Sequence, residues 1–200
     1  MVNTKSISQT ILLELKTVLG ESCAVIIDSN VFELYKDILD PAVQCVPHII
    51  IDAKEENKTL DTVQKIVEYF AGQGIKRTHT LVAIGGGIIQ DLCCFTASTI
   101  FRGMKWVFFP TTLLAQCDSC IGSKSSINVG SYKNQVGTFY PPEHVVIDTG
   151  FLKTLKKSEL LSGLGEAIKV HYLDVDKRFN VILDNYSKSL CDFAILEEVI

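Results

Sequence analysis

The chain has 200 residues, 47% of them hydrophobic and 21% charged, and a formal net charge of −4. That balance belongs to a folded protein with one sizeable core, or one domain and part of another; it excludes a disordered chain and gives no electrostatic ground for nucleic acid or an anionic membrane surface as partner. Seven cysteines without a charged and then apolar leader, and no apolar run of roughly 18 residues, set aside secretion, a disulfide framework and a membrane span, leaving a reducing cytoplasm as the expected compartment and a small molecule as the expected ligand.

Apolar runs and helical patterns alternate along the first half. A helix is predicted within 8–19, a strand at 24–28, a helix over 31–39 and a strand at 48–52. A helix fits 60–72, where Val63, Ile66, Val67 and Phe70 recur at helical spacing, and a strand follows at 81–84. Strands alternating with helices imply an α/β fold with a doubly wound, mostly parallel, Rossmann-like sheet. Ligands of such sheets gather at the carboxyl ends of the strands, where Asp28 and the run Gly85-Gly86-Gly87 fall.

A helix is expected over 88–101, then an apolar strand at 106–109 that ends at Pro110, with Thr111 and Thr112 at the strand end. The segment 121–139, rich in Gly, Ser and Asn, predicts a loop or hairpin over the sheet, closed by Pro141-Pro142 before a strand at 145–148. From Ser158 the pattern is wholly helical, with Leu160, Leu161, Leu164 and Ile168 along one face and further helices around 179–183 and 193–200. The change divides the expectation into an α/β domain over 1–155 and the start of an all-helical domain over 156–200, whose final helix lacks a closing Gly or Pro and reads as cut short.

Three glycines after a buried strand let backbone approach a ligand, and the amide groups and dipole of the following helix favour a pyrophosphate; a tight strand-to-helix turn explains the same residues. The spacing G-x-G-x-x-G is not met, because Ile88, Ile89 and Gln90 follow the triplet. Asp118, Lys124, Lys133 and Asn134 share a polar stretch between apolar strands, and two lysines with Asn and Ser donors suit a phosphate or carboxylate. Arg102 fits either an added charge clamp or the partner of a helix carboxyl end. Glu166 and Lys169 share a helix face as an ordinary surface pair, although Gly163 and Gly165 within that helix point to close approach of a ligand or of backbone. Cys117 and Cys120 have C-x-x-C spacing without a second pair, which favours buried small residues over a metal or redox role. His171 stands five residues from Glu166, about 140° away around the helix, and His48, His79 and His144 are scattered, so no closed metal site can be assembled.

Together these residues resemble the sugar phosphate cyclases, and within them the 3-dehydroquinate synthases. The likeness runs through residues 55–59, the GGGIIQD run ending at Asp91, Phe101-Arg102-Gly103, PTTLLAQCDS from Pro110, Gly122-Ser123-Lys124, Lys133-Asn134, Ile147-Asp148-Thr149 and GLGEAIK from Gly163. It implies NAD as cofactor, with Asp28, Ser29 and Asn30 at the adenosine end, Glu55 and Lys58 nearby, and Gly86, Gly87 and Asp91 at the pyrophosphate and nicotinamide ribose. Thr111, Thr112, Lys124, Lys133, Phe151 and Thr154 would also line the cofactor. Catalytic contacts to a sugar phosphate would come from Arg102, Asp118, Lys124, Asn134 and Lys169, and Glu166 would ligate a divalent metal, zinc or cobalt, in a site this chain leaves incomplete. The implied reaction takes 3-deoxy-arabino-heptulosonate 7-phosphate to 3-dehydroquinate with elimination of phosphate, in an enzyme with no nucleic-acid or membrane partner that admits a homodimer.

The sequence departs from the family pattern at Gln90, Ser123, Ser125-Ser126 and Tyr132, around the implied substrate, which keeps open a cyclase acting on another sugar phosphate such as sedoheptulose 7-phosphate. Two further alternatives are an iron-dependent alcohol or glycerol dehydrogenase relative, which would usually have Ser where Ile88 stands, and a non-catalytic NAD-binding fragment.

Overall fold

The structure, a computed structural model, describes residues 17–18 and 22–173. Most of the helix expected within 8–19, and those around 179–183 and 193–200, lie outside the described residues. In chain order the elements are β1 (Cys23–Asp28), α1 (Ser29–Leu34), α2 (Lys36–Val43), β2 (His48–Ile51), α3 (Leu60–Gly72), β3 (Thr80–Gly85), α4 (Gly87–Thr99), β4 (Lys105–Pro110), β5 (Lys124–Val129), β6 (Tyr132–Phe139), β7 (His144–Val145) and α5 (Lys157–Leu173). Short 3₁₀ turns occupy Glu55–Asn57, Ile100–Arg102 and Thr149–Thr154, and Ala115–Ser119 is π-helical.

The strands β1, β3 and β4 are buried almost throughout, so they are apolar on both faces, as interior strands of a parallel sheet must be. The five-stranded sheet has the order β2-β1-β3-β4-β7 with every pairing parallel. Alternate residues feed two cores. Ala24, Ile26, Leu81, Ala83, Trp106 and Phe108 pack under α3 and α4, while Val25, Ile27, Val82, Ile84, Val107 and Phe109 pack under α1 and α2. This two-faced burial is the doubly wound α/β architecture expected from the alternation of elements. The polar segment after β4 folds into the antiparallel hairpin β5–β6, which packs on α4.

Three expectations are corrected. The helix over 31–39 is two helices, because Tyr35 leaves helical geometry (φ −117°, ψ 23°). Its ring packs edge-on against Phe151 with centroids 5.2 Å apart. The helix over 88–101 ends at Thr99; Phe101 and Arg102 then adopt left-handed backbone (φ 51° and 62°) before Gly103 turns the chain into β4. The strand at 145–148 contracts to His144–Val145, since Asp148 leaves the sheet and caps the next turn by accepting from the Gly150 amide at 2.6 Å.

The C-terminal helix α5 lies on the segment after β4, with Leu160, Leu164 and Ala167 against Leu113, Cys117 and Leu152. Gly163 is the contact point: a Cβ there would sit 2.6 Å from Leu113 Cβ and 2.7 Å from the Leu114 amide nitrogen, so the close approach inferred from sequence is one of backbone. Gly165 faces open space. Gly163→Ala is therefore expected to destabilise by about 1–3 kcal/mol through overpacking. Gly165→Ala is expected to stabilise by roughly 0.5–1 kcal/mol through helix propensity. Urea unfolding of the two variants checks this opposition of sign.

Candidate functional site

The carboxyl ends of β1, β3 and β4 meet at one edge of the sheet. There Asp28, Asn30, Tyr35, Thr111, Thr112, Phe151 and Thr154 are among the residues lining a cleft of about 410 Å³. Asp28 ends β1 and caps α1, its carboxylate accepting from the Asn30 amide at 2.9 Å. Gly85 packs tightly, since a Cβ there would stand 2.7 Å from Ile89 Cβ and 3.2 Å from Asp28 Cβ. Gly86 faces Thr112, with a would-be Cβ 3.0 Å from its methyl group, and leads directly into α4 with no side chain to cap the helix amides. The tight turn and the open helix start thus coexist in one triplet. Thr111 Oγ1 is buried at the cleft and has no hydrogen-bond partner among the described residues.

The far wall of the cleft is braced at two points. The Tyr35 hydroxyl lies 3.1 Å from Thr154 Oγ1. Gln116, fully buried in the π-helical turn, donates from Nε2 to the carbonyls of Pro110 at 3.0 Å and Asp148 at 2.9 Å, tying the end of β4 to the start of the Thr149–Thr154 turn. Neighbouring Ser119 donates to Gln90 Oε1 at 2.6 Å while Gln90 donates to the Ser119 carbonyl at 2.5 Å, joining α4 to the same segment.

A second group gathers where the hairpin crosses α4. The buried Lys58 ammonium donates to Asp91 Oδ2 at 3.0 Å and Asn134 Oδ1 at 2.7 Å, with Ser126 Oγ at 3.4 Å and Glu55 Oε1 at 3.6 Å. Asp91 also accepts from the Ser126 amide at 2.9 Å and its hydroxyl at 3.1 Å. Burial pushes the Asp91 carboxyl up, and the Lys58 ammonium pulls it only partly back. Glu55 goes the other way: its bond from Asn128 is the main cause holding it below the usual carboxylate range, with Lys58 and Lys133 adding to it.

The third group lies on α5 and the π-helical turn. Glu166 is ion-paired with Lys169, whose ammonium is raised by that bond and, more weakly, by the charge of Asp118. Cys117 and Cys120 are both buried, and burial pushes their thiols up to about 12 and about 11.

The residues singled out from sequence therefore fall into distinct places. Asp28, Asn30, Gly86, Thr111, Thr112, Phe151 and Thr154 share the cleft edge, with Gly87 beside Gly86 at the helix start. Glu55, Lys58, Asp91 and Asn134 form the network around buried Lys58 with Lys133 close by, and Asp118, Glu166 and Lys169 form the third group. Lys124 is exposed at the start of β5, its stem over Gly122. Arg102 is not brought to these residues within one chain. It follows the carboxyl end of α4, a helix of 13 residues and hence about 20 Å long, at the opposite edge of the sheet. Sequence reasoning passed over Asn128, Gln116 and Tyr35. The available signal for the first two was a buried amide inside an apolar run, Ile127-Asn128-Val129 and Leu113-Leu114-Ala115-Gln116-Cys117.

The family model described as 3-dehydroquinate synthase N-terminal matches residues 48–162. A 3-dehydroquinate synthase of Clostridium tetani is 40% identical over 164 residues, 81% of this chain and 44% of that protein. The chain spans about half the length of the curated relatives it matches. Among solved structures, a 2-epi-5-epi-valiolone synthase from Streptomyces hygroscopicus subsp. jinggangensis with NAD+ and Zn2+ bound superposes with a TM-score of 0.85 at 29% identity, covering 96% of this chain and 56% of that one. A 2-deoxy-scyllo-inosose synthase complexed with carbaglucose-6-phosphate, NAD+ and Co2+ gives 0.68 at 31% identity, covering 80% and 45%. An iron-containing alcohol dehydrogenase, at 17% identity and a TM-score of 0.70, covering 93% and 60%, shares the fold.

Burial pushes the Asp28 carboxyl up, the amides of Asn30 and Val31 pull it partly back, and the charges of Asp52 and Glu159 add to the rise. Folded Asp28 therefore holds its proton to higher pH than unfolded Asp28, and its ionisation withdraws stability as pH climbs above the ordinary carboxylate value. Asp28→Asn keeps an oxygen for the Asn30 amide and removes that buried charge. Thermal unfolding across pH is expected to show the variant melting above the wild type at neutral pH, with the gap closing in acid; a lower melting point at neutral pH contradicts the assignment.

Proposed function

The chain belongs to the 3-dehydroquinate synthase family, and we propose that it forms the cofactor-binding part of an NAD-dependent cyclase that converts 3-deoxy-arabino-heptulosonate 7-phosphate to 3-dehydroquinate with loss of phosphate. The observation that carries the cofactor half of this reading is the cleft itself: a buried Thr111 hydroxyl without a partner among the described residues, beside an uncapped helix start preceded by glycine. These features suit a dinucleotide, whose pyrophosphate is met by backbone amides and whose ribose hydroxyls are met by a carboxylate.

Bound NAD supplies a hydride acceptor for a hydroxyl-bearing carbon and returns the hydride later in the cycle. The chain's own residues do the holding. In this reading Asp28 and Asn30 accept and donate at the adenosine ribose, Gly86 and Gly87 let the backbone of α4 approach the pyrophosphate, and Thr111 and Thr112 donate to the cofactor. Phe151 and Tyr35 close the wall against water. Glu55, Lys58 and Asp91 orient the cofactor from the hairpin side, with Lys133. Lys124, Asn134 and Lys169 face the sugar phosphate as cationic and amide donors to phosphate and hydroxyl oxygens, and Asp118 accepts from its hydroxyl groups. Arg102 stands beyond the carboxyl end of α4, too far away to join them in the same chain, so a homodimer in which a second copy presents it is part of the proposal. Glu166 is the metal ligand of this reading. Among the described residues no group of three His, Cys, Asp or Glu can hold an ion. A cytoplasmic setting accords with the reading, and among the described residues no helix is long and apolar enough to cross a membrane.

The likeness to the 2-epi-5-epi-valiolone synthase structure favours one second reading, a cyclase of another sugar phosphate. Calorimetric titration with NAD tests the shared premise: saturable binding is expected, weakened at least about tenfold by Gly86→Val, whose side chain would meet Thr112 and block the approach of phosphate. Absence of heat from folded protein at millimolar NAD overturns it. Phosphate release from 3-deoxy-arabino-heptulosonate 7-phosphate against sedoheptulose 7-phosphate, assayed on protein spanning the full length of the relatives, decides between the two cyclases; turnover of the second alone replaces the first reading.

A further inference from the structure

Asn128 is a buried amide one residue from the end of β5, and both polar atoms of its side chain and its backbone N–H are engaged. Its Nδ2 donates to the Glu55 carbonyl at 3.1 Å and to Glu55 Oε1 at 2.9 Å. Its Oδ1 accepts from the Asn134 amide at 2.8 Å, and its own amide donates to the Lys58 carbonyl at 2.8 Å. The orientation of the amide is dictated by these partners, since a backbone N–H requires the oxygen and a backbone carbonyl requires the nitrogen. Four bonds thus end on three residues, Glu55, Lys58 and Asn134.

Each bond constrains something the neighbour would not adopt unaided. Asn134 has left-handed backbone (φ 57°), and the bond to its amide holds the residue there with its Oδ1 2.7 Å from the Lys58 ammonium. Glu55 Oε1, held by Asn128, stops 3.6 Å from the same ammonium. A strand interior opposite α4 has no need of an amide, because an apolar side chain would pack there without desolvating polar atoms. A cross-strand bridge between Thr59 and Asn128 brings the 3₁₀ turn and the hairpin into register at this one residue.

We infer that Asn128 is a positioning residue that sets Glu55, Lys58 and Asn134 in the arrangement that receives the ligands, without touching a ligand itself. This rests on the reading that those three residues contact NAD and the sugar phosphate. Its consequence is a polarity requirement: the position must donate toward Glu55 and accept from Asn134. Aspartate, nearly the same in shape, accepts on both arms and turns a carboxylate against the Glu55 carbonyl and carboxylate. Glutamine at 55 reverses the side-chain arm, because its amide can donate to a carboxylate at 128.

The test is NAD titration by calorimetry, with thermal unfolding alongside, on the wild type, N128D, E55Q and N128D/E55Q. N128D is expected to weaken NAD binding about tenfold or more, the scale of a lost hydrogen bond to a charged group. N128D/E55Q is expected to bind more tightly than N128D, a rescue that a general loss of packing would not produce. N128D binding like the wild type, or a double variant no better than N128D, overturns the inference. Wild type that is folded and binds no NAD overturns the underlying cofactor reading instead. Should N128D not fold, N128A carries the same test through pH. Without the Asn128 bond, the groups facing Glu55 are Lys58 and Lys133, and its carboxyl returns toward its ordinary range. The affinity deficit of N128A relative to wild type must then grow as pH is lowered from about 7 to about 4, through the ordinary carboxylate range, and a deficit independent of pH across that range overturns the inference.

Discussion

A buried ammonium dictates the architecture of the hairpin edge. Lys58 sits at 6% exposure, and a lone charge at such depth would cost far more than the fold has to spare. It is tolerated because oxygen atoms arrive from the 3₁₀ turn at Glu55, from α4 through Asp91, from β5 through Ser126 and from β6 through Asn134. The turn, α4 and the hairpin are distant in sequence, and their shared demand for this one cation fixes how the hairpin lies on α4. The apolar contribution is modest on β6, whose residues are nearly all exposed, so polar pairing decides its placement more than burial does.

On the other side of the glycine turn the same edge is built by a different device. There the chain must leave β4 and return after β7, and two buried side chains hold the gap. Gln116 binds the carbonyls at both ends, and Tyr35 reaches across from the break between α1 and α2 to the Thr149–Thr154 turn. Both solutions carry local irregularity, a π-helical turn in the first case and an interrupted helix in the second. Irregularity of this kind recurs where a fold must present polar groups at a defined point. The left-handed backbone of Asn134 belongs to the same pattern, whereas that of Phe101 and Arg102 marks the opposite edge of the sheet.

Stability and ligand chemistry pull against each other at Asp28 and Asp91. Both carboxyls are raised by burial, so both cost the fold something when ionised. Retaining them at the carboxyl edge is what a ligand rich in hydroxyl groups would require, and an apolar edge would be the more stable alternative in its absence.

Periodicity and glycine placement in the sequence were enough for the α/β class, the parallel sheet and its interior strands, because parallel interior strands must be apolar on both faces and their ligands must gather at one edge. The helix 60–72 was legible from its apolar spacing, while the polar composition of 121–139 left a loop or a hairpin open and the structure has the hairpin. The residue runs from Glu55 to Glu166 also carried the family likeness, since motif order survives in the chain whatever its packing. Tertiary structure alone decided which of those residues meet. Lys58 and Asp91 stand thirty-three positions apart and Lys58 and Asn134 seventy-six, and no local rule pairs them until the hairpin lies on α4. Arg102 reads in sequence as one more cation of the site, yet the length of α4 carries it to the far edge. Asn128 and Gln116 read as interruptions of apolar runs, and only the packed interior brings up the distant backbone groups that their amides hold.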